Sequence, residues 1–363
     1  MAIGGQFAAR PRLNLKSLTS MRAFAALLIF AFHSNIPLVN AITVQGRVGV
    51  SFFFVLSGLL LAMSWQPGDT ARGFYRRRAA RIYPAYLVAL IAGAVLSVAS
   101  STGERSILGG ILSVFLLQAW VPDSGIYFAW NAVSWSLSVE AFFYILFPFI
   151  APAILSLGSK GTSYLRAAAL LFVVAMGVYA ALTLPDTLEQ PNTFESWATY
   201  ISPATRLAEF VIGMTLVHAV RGPRIRVGKT LSVAILVVAY LLSGLNPGGL
   251  GLAALTIIPL CLVLVRFSQG DANGERSILH AGVLLWLGQI SYCFYLVHHL
   301  VLRAETILIS QHGWDFHGTT IPLALVLSLI AAAMLHRFIE VPLDRRFNGR
   351  DRARPELPVN PAV

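Results

Sequence analysis

Charge is scarce in this chain. Asp, Glu, Lys and Arg together make up 12% of its 363 residues, while 56% are hydrophobic. A soluble domain of this size carries about a quarter of its residues as charges, so soluble globular classes are excluded and a polytopic membrane protein is indicated. Acidic residues are the scarcer sign, 16 Asp and Glu against 27 Lys and Arg, for a net charge of +11. That surplus does not point to nucleic acid. The basic residues sit in short stretches between apolar runs, where the positive-inside rule accounts for them. Cysteine is nearly absent. Cys261 and Cys293 both lie in apolar runs, which excludes a disulfide framework. There is no P-loop, no Rossmann glycine fingerprint and no GxSxG elbow. The basic N-terminus precedes a span-length run without a small-residue cleavage site, unlike a signal peptide, and no lipidation motif is found.

What the sequence does have is apolar runs, at 18–39, 46–65, 81–101, 107–121, 134–156, 164–184, 199–219, 228–245, 249–268, 283–310 and 319–340. Ten are long enough to span a bilayer; 107–121 is short for that. Arg10, Arg12 and Lys16 put the N-terminus in the cytoplasm. The groups at Arg72–Arg81, Lys160–Arg166, Arg221–Lys229 and Arg345–Arg354 want the same side. The loops 185–199 and 311–317 hold Asp186, Glu189, Glu195 and Asp315 with no Lys or Arg, and want the outside. Three runs separate the Arg76 and Lys160 loops, so both can be inside only if one run does not cross. The short run 107–121 is then re-entrant, which is tolerated where protein buries it. The expectation is an all-α membrane bundle of about ten transmembrane helices plus one short re-entrant segment, with both termini inside. Residues 1–17 form a cytoplasmic tail, 18–340 the transmembrane domain, and 341–363 a disordered cytoplasmic tail. No strong internal repeat supports an inverted-repeat transporter.

The stretch 18–40 organises the rest, because it carries Arg22 and His33. Eleven residues separate them, about 16 Å along a helix and about 20° around it. Ionisable groups in hydrocarbon are costly and mark functional sites, although an Arg at a helix edge also serves as an anchor. Rise alone puts His33 about 22 Å up its span and Glu140, in WSLSVEAFFY, about 9 Å below the outer face, at one level. Ser291, Tyr292, Tyr295, His298 and His299 of QISYCFYLVHH climb toward that level. Arg206 and Glu209 fall mid-membrane, where they can pair with each other. At the cytoplasmic face Arg78 and Arg81, at i and i+3, join Arg22 in a cationic cluster. His312 and His317 lack further ligands, so no metal is expected.

The stretches SMRAFAALLIFAFH, RVGVSFFFVLSGLLL, FYRRRAARIYPAY, WSLSVEAFFYILFP, TRLAEFVIGM, ISYCFYLVHH and HRFIEVPLDRRF occur in the order found in the acyltransferase 3 family of integral membrane acyltransferases. Each is weak alone; together they cover nearly the whole chain, which therefore resembles that family. The family's Arg-x10-His is met by Arg22 and His33, its Arg-x-x-Arg by Arg78 and Arg81, and its Glu after WSLS-x by Glu140. His299 follows His298 where many members have Pro, which leaves open which imidazole faces the site. The resemblance implies the stand-alone form, without a fused SGNH esterase-like domain, in a bacterial cytoplasmic membrane.

It further implies transfer of an acyl group, most often acetyl, from acyl-CoA to a carbohydrate hydroxyl of a surface polysaccharide, O-antigen, lipid-linked glycan or macrolide. No bound cofactor is implied; acyl-CoA is the donor substrate. Arg22, Arg78 and Arg81 would take its phosphates. His33 would act as general base, with Glu140 orienting it. A covalent acyl-histidine is the other route. Ser291, Tyr292, Tyr295, His298, Arg206 and Glu209 are candidates for the acceptor site. The rival from another class is a flippase for a lipid-linked sugar, with the buried charges as its solute path.

Overall fold

A backbone in hydrocarbon has to satisfy its own N–H and C=O groups, and a helix does so within one segment. The computed structural model describes residues 13–34, 43–66, 68–99, 106–184, 192–245, 253–312 and 320–352, and within them all regular structure is helical. The helices of eight residues or more are α1 (Lys16–His33), α2 (Val48–Ser64), α3 (Ala71–Ala99), α4 (Ile107–Val114), α5 (Trp135–Ser156) and α6 (Ser159–Thr183). They continue as α7 (Pro203–Arg221), α8 (Lys229–Ser243), α9 (Ile257–Ala272), α10 (Gly282–His312), α11 (Ile321–Leu335) and α12 (Val341–Arg352).

Among the described residues six segments are long and apolar enough to cross a membrane: 45–64, 71–99, 132–156, 159–183, 282–309 and 321–347. The chain is thus an integral membrane protein by composition, and the expected ten spans are met in part. Of the four others, α8 has 15 residues and α9 has 16. The remaining two, α1 and α7, are diluted by Lys16, Arg22, His33, Arg206 and Glu209. On α7 protein surrounds these residues, whereas on α1 Arg22 and His33 are half-buried and Lys16, at the helix start, is exposed. Arg206 and Glu209 on α7 are buried. The segment 45–64 is 78% buried along its apolar stretch, whereas 159–183 and 321–347 are 22% buried. Helices α1, α2, α7 and α10 therefore form the inner ring, and α6 and α11 turn apolar faces such as Leu171, Leu182, Leu323 and Ile330 outward.

Two close helix crossings hold the inner ring. Gly213 of α7 lies so near α2 that a Cβ would stand 2.0 Å from the Val55 carbonyl oxygen, and Gly288 of α10 so near α1 that a Cβ would stand 1.9 Å from that of Thr19. Small residues that let backbones meet are a usual means of joining helices where no hydrophobic gradient separates them from lipid.

Three boundaries differ from expectation. Helix α1 stops at His33, its eighteenth residue, so His33 stands at the helix's C-terminal end rather than deep in a longer span. Ser34 closes the helix, its hydroxyl donating to the Phe30 carbonyl at 2.7 Å; residues 35–42 lie outside the described set. The expected disordered tail begins instead with α12, which packs on α3; residues 353–363 lie outside the described set, as do 1–12 of the N-terminal tail. In the short run 107–121, α4 has eight residues, about 12 Å of rise, and cannot cross. Carbonyls at its end and just beyond it are satisfied by side chains: Tyr86 donates to Ser113 at 2.7 Å, Tyr83 to Val114 at 2.9 Å and Ser138 to Leu116 at 2.6 Å.

Candidate functional site

Arginines on this protein are of two kinds. Some basic residues near helix ends are paired: Arg77 with Asp69 at 3.4 Å, and Arg224, Lys229 and Arg266 all with Glu275, the last two at 2.9 and 3.2 Å. The hydrogen bond from Lys229 holds the Glu275 carboxyl below the usual carboxylate range, against some burial, with Arg266 adding to it. Arg22, Arg78 and Arg81 are different. All three line one open cleft between α1, α2, α3, α5 and α10. None of them makes an ion pair within 4.0 Å among the described residues.

The spacing Arg78-x-x-Arg81 puts both guanidiniums on one face of α3, toward Arg22 on α1. Arg78 is half-buried and lies over the rings of Phe74 and Tyr144 at 5.6 and 5.8 Å, while Arg81 is exposed. Among the described residues the one carboxylate in the cleft is Glu140 of α5, which accepts from Ser57 at 3.0 Å and from Tyr144 one turn along its own helix. Glu340 also acts on Arg22 electrostatically. It is buried and accepts from His336 Nδ1 at 2.8 Å and from the Cys293 thiol at 3.1 Å. Cys293, His336 and Glu340 are the one set of metal-type ligand atoms gathered among the described residues, and these two hydrogen bonds account for all three. The cleft thus has three cations, one carboxylate, and apolar walls from Phe53, Phe54, Leu60 and Ile82.

His33 does not line this cleft. Tyr295 does, hydrogen-bonded to Ser136 at 2.7 Å and to the Val133 carbonyl at 3.0 Å. Its ring lies 5.8 Å from that of His298. His298 is fully buried, and its Nε2 is 3.1 Å from His33 Nδ1. His299 meets the His33 ring edge-on at 5.2 Å. Both imidazoles of the His-His pair therefore reach His33, by different contacts. The imidazoles begin one side chain beyond the end of the cleft.

The other expected site residues divide. Tyr292 lines the cleft and donates to the Ile82 carbonyl at 2.8 Å. Ser291 is buried with its hydroxyl on the Gly288 carbonyl, away from the cleft. Glu140 is held among the arginines, and the hydrogen-bonding partner of His33 is His298. Arg206 and Glu209 pair at 2.9 Å, share Ser51 at 3.0 Å from each, and line a separate small cavity near Val173 and Ala254. Ser57 and Tyr144 were not anticipated. Tyr144 was legible as the i+4 neighbour of Glu140; Ser57 has no sequence signal.

Removing one partner of a buried pair costs about 3–5 kcal/mol, because the other charge is left uncompensated. Glu209→Leu should therefore lower the thermal midpoint in detergent markedly, and Arg206→Met with Glu209→Leu together should lower it less. A double variant less stable than the single one would mean that the stranded Arg206 charge is not the source of the loss, and that Arg206 holds α7 to α2 through Ser51 on its own.

A family model described as an acyltransferase domain matches residues 15–337. Acyltransferase MdmB of Streptomyces mycarofaciens is 32% identical, over 94% of each chain. Peptidoglycan O-acetyltransferase OatA of Listeria monocytogenes is 25% identical over 93% of this chain. The putative peptidoglycan O-acetyltransferase YrhL of Bacillus subtilis is 26% identical over 91%. This chain spans 57% and 55% of those last two. No solved structure matches.

Proposed function

The chain belongs to the acyltransferase family, and from that membership we propose that it is a membrane O-acyltransferase carrying an acetyl group from acetyl-CoA on the cytoplasmic side to a carbohydrate hydroxyl reached from the other side. The observation that carries this reading is the cleft: three arginines without carboxylate partners face one space. Guanidinium is suited to phosphate because its fork of N–H groups matches the oxygens. CoA brings phosphates at one end and a long, flexible, uncharged pantetheine arm at the other, matching a cleft with arginines and uncharged walls that include Phe53, Phe54 and Leu60.

The arm would pass Phe53 and Tyr295, whose rings lie 6.2 Å apart, to bring the thioester to His33. There the imidazole takes the proton of the acceptor hydroxyl while that oxygen attacks the thioester carbonyl. A C–O bond forms, the C–S bond breaks, and the departing thiolate takes the proton from the imidazolium. The products are an O-acyl ester and free CoA. Surface glycan is the acceptor class favoured by the peptidoglycan O-acetyltransferases among the relatives. The test is purified protein with labelled acetyl-CoA and, in parallel, a glycan and a small hydroxylated product such as a macrolide. Label in the glycan supports the reading. Label only in the small product moves the acceptor class, and label in neither, with sugar carried across vesicles, favours a flippase.

Orientation follows from the same reading. With the arginine cleft inside, cysteines introduced at Arg224 should be labelled from the cytoplasmic face, and those at Glu189 and Asp315 from outside. Labelling of position 189 only after the inner face is opened would reverse the donor's side.

A further inference from the structure

His298 has two nitrogens and, when neutral, one proton between them. Its Nδ1 lies 3.2 Å from the Phe294 carbonyl oxygen, one turn back on α10. A carbonyl oxygen only accepts, so the proton sits on Nδ1. The Nε2 is then a bare lone pair, and the atom facing it is His33 Nδ1 at 3.1 Å. Two lone pairs do not face each other at that distance. His33 Nδ1 therefore carries the proton of its own ring, which leaves His33 Nε2 unprotonated. The chain of donors runs one way, from His33 Nδ1–H to His298 Nε2 and from His298 Nδ1–H to Phe294.

We infer that His298 is a positioning residue: it fixes His33 in the tautomer whose Nε2 is free to take a proton, and points that nitrogen away from the His–His contact. This rests on the proposed acyl transfer, in which His33 is the base. The geometry is well determined by the fold. His298 is fully buried, stacked at 5.7 Å and 14° on Phe294 and met by Phe30 at 6.3 Å and Tyr295 at 5.8 Å, so its ring is held by three neighbours. Its helix is joined to α1 at the Gly288 crossing, which fixes the distance between the two imidazoles. His299 does not share the role. It touches His33 edge-on, and its Nδ1 is buried without a hydrogen-bond partner among the described residues. A second-sphere acceptor on the far nitrogen of an imidazole is the usual means of choosing which nitrogen does the work.

Two substitutions separate this role from packing. In His298→Gln the side-chain oxygen reaches the position of Nε2 and still accepts from His33 Nδ1–H. In His298→Leu the bulk stays but the acceptor is lost. His298→Gln should keep kcat within about threefold of the parent. His298→Leu should lose kcat by about 100-fold, the upper end for removing an orienting partner of this kind, with the KM for acetyl-CoA unchanged. An activity-independent readout comes from protein labelled with [15N]histidine. The His33 signals, assigned by their absence in His33→Asn, should show a protonated Nδ1 and a bare Nε2 in the parent and in His298→Gln, and a mixture of tautomers in His298→Leu. A parent spectrum with the proton on His33 Nε2 would overturn the inference, as would a His298→Leu protein that keeps both the Nδ1–H tautomer and the parent kcat. Because the spectrum is read without any turnover, it decides the tautomer even if acetyl-CoA proves to be no substrate.

Discussion

Arg78→Ala should raise the KM and Kd for acetyl-CoA by about 10- to 100-fold, the range expected for losing a charged hydrogen bond of about 1.5–3 kcal/mol. Arg81→Ala should have a smaller effect that fades with salt. The difference follows from setting. Arg78 is held over Phe74 and Tyr144 with its Nε buried and unpartnered, so its fork is preorganised and poorly screened. Arg81 is exposed, where ions weaken its reach beyond about 10 Å at 0.1 M salt. Arg78→Lys should rescue only in part, since the charge returns without the planar fork. Part of any loss in Arg78→Ala is packing, so thermal midpoints must be measured alongside; a Kd that rises without a matching fall in stability assigns the effect to the donor. Unchanged Kd for both alanine variants would return these arginines to the role of topology anchors, with the other cationic clusters that Glu275 and Asp69 neutralise.

The arginine cleft was legible in the sequence, and the histidine centre only partly. Helical spacing gives Arg78 and Arg81 a common face, and the charge bias puts Arg22 at the same end of its helix; those are local facts, and the cleft brings all three together. The pairing of Arg206 with Glu209 is likewise an i,i+3 relation, and the alternative that they serve an acceptor finds no contact with the cleft. Glu140 was placed beside His33 from axial rise alone. Rise gives depth but not azimuth, and the carboxylate turns to Ser57 and Tyr144. Glu140→Gln is thus expected to alter donor kinetics and to leave the pH midpoint of activity where it is. The end of α1 at His33 and the helix at 341–352 escaped because hydropathy marks where apolar residues run, not where a hydroxyl cap closes a turn or where a polar helix finds α3 to lie on.

His33→Ala should abolish acyl transfer while insertion, expression and the Kd for acetyl-CoA stay near those of the parent. Three observations set the size of the effect. The imidazole stands at the end of α1 on the same stripe as Arg22, so a donor bound by the arginines is directed toward it. Its Nδ1 is already engaged by His298, which leaves one nitrogen for chemistry. It is half-buried rather than sealed, whereas His298 is fully buried, so of these two it is the one an acceptor can reach. Loss of a general base costs about 10²–10⁴-fold in rate. Activity should also fall as pH drops through the pKa of His33, because the protonated ring cannot accept the hydroxyl proton. That limb should vanish from the residual activity of His33→Ala. His33→Gln, which keeps bulk and polarity but cannot hold a second proton, should be as inactive as the alanine variant. If His33→Gln transferred label at the parent rate, the imidazole would be a polar packing residue and the base would have to be sought elsewhere. If His33→Ala instead lost its affinity for acetyl-CoA, the histidine would belong to the donor cleft, and the separation between the cleft and the imidazole centre would have closed in the bound state.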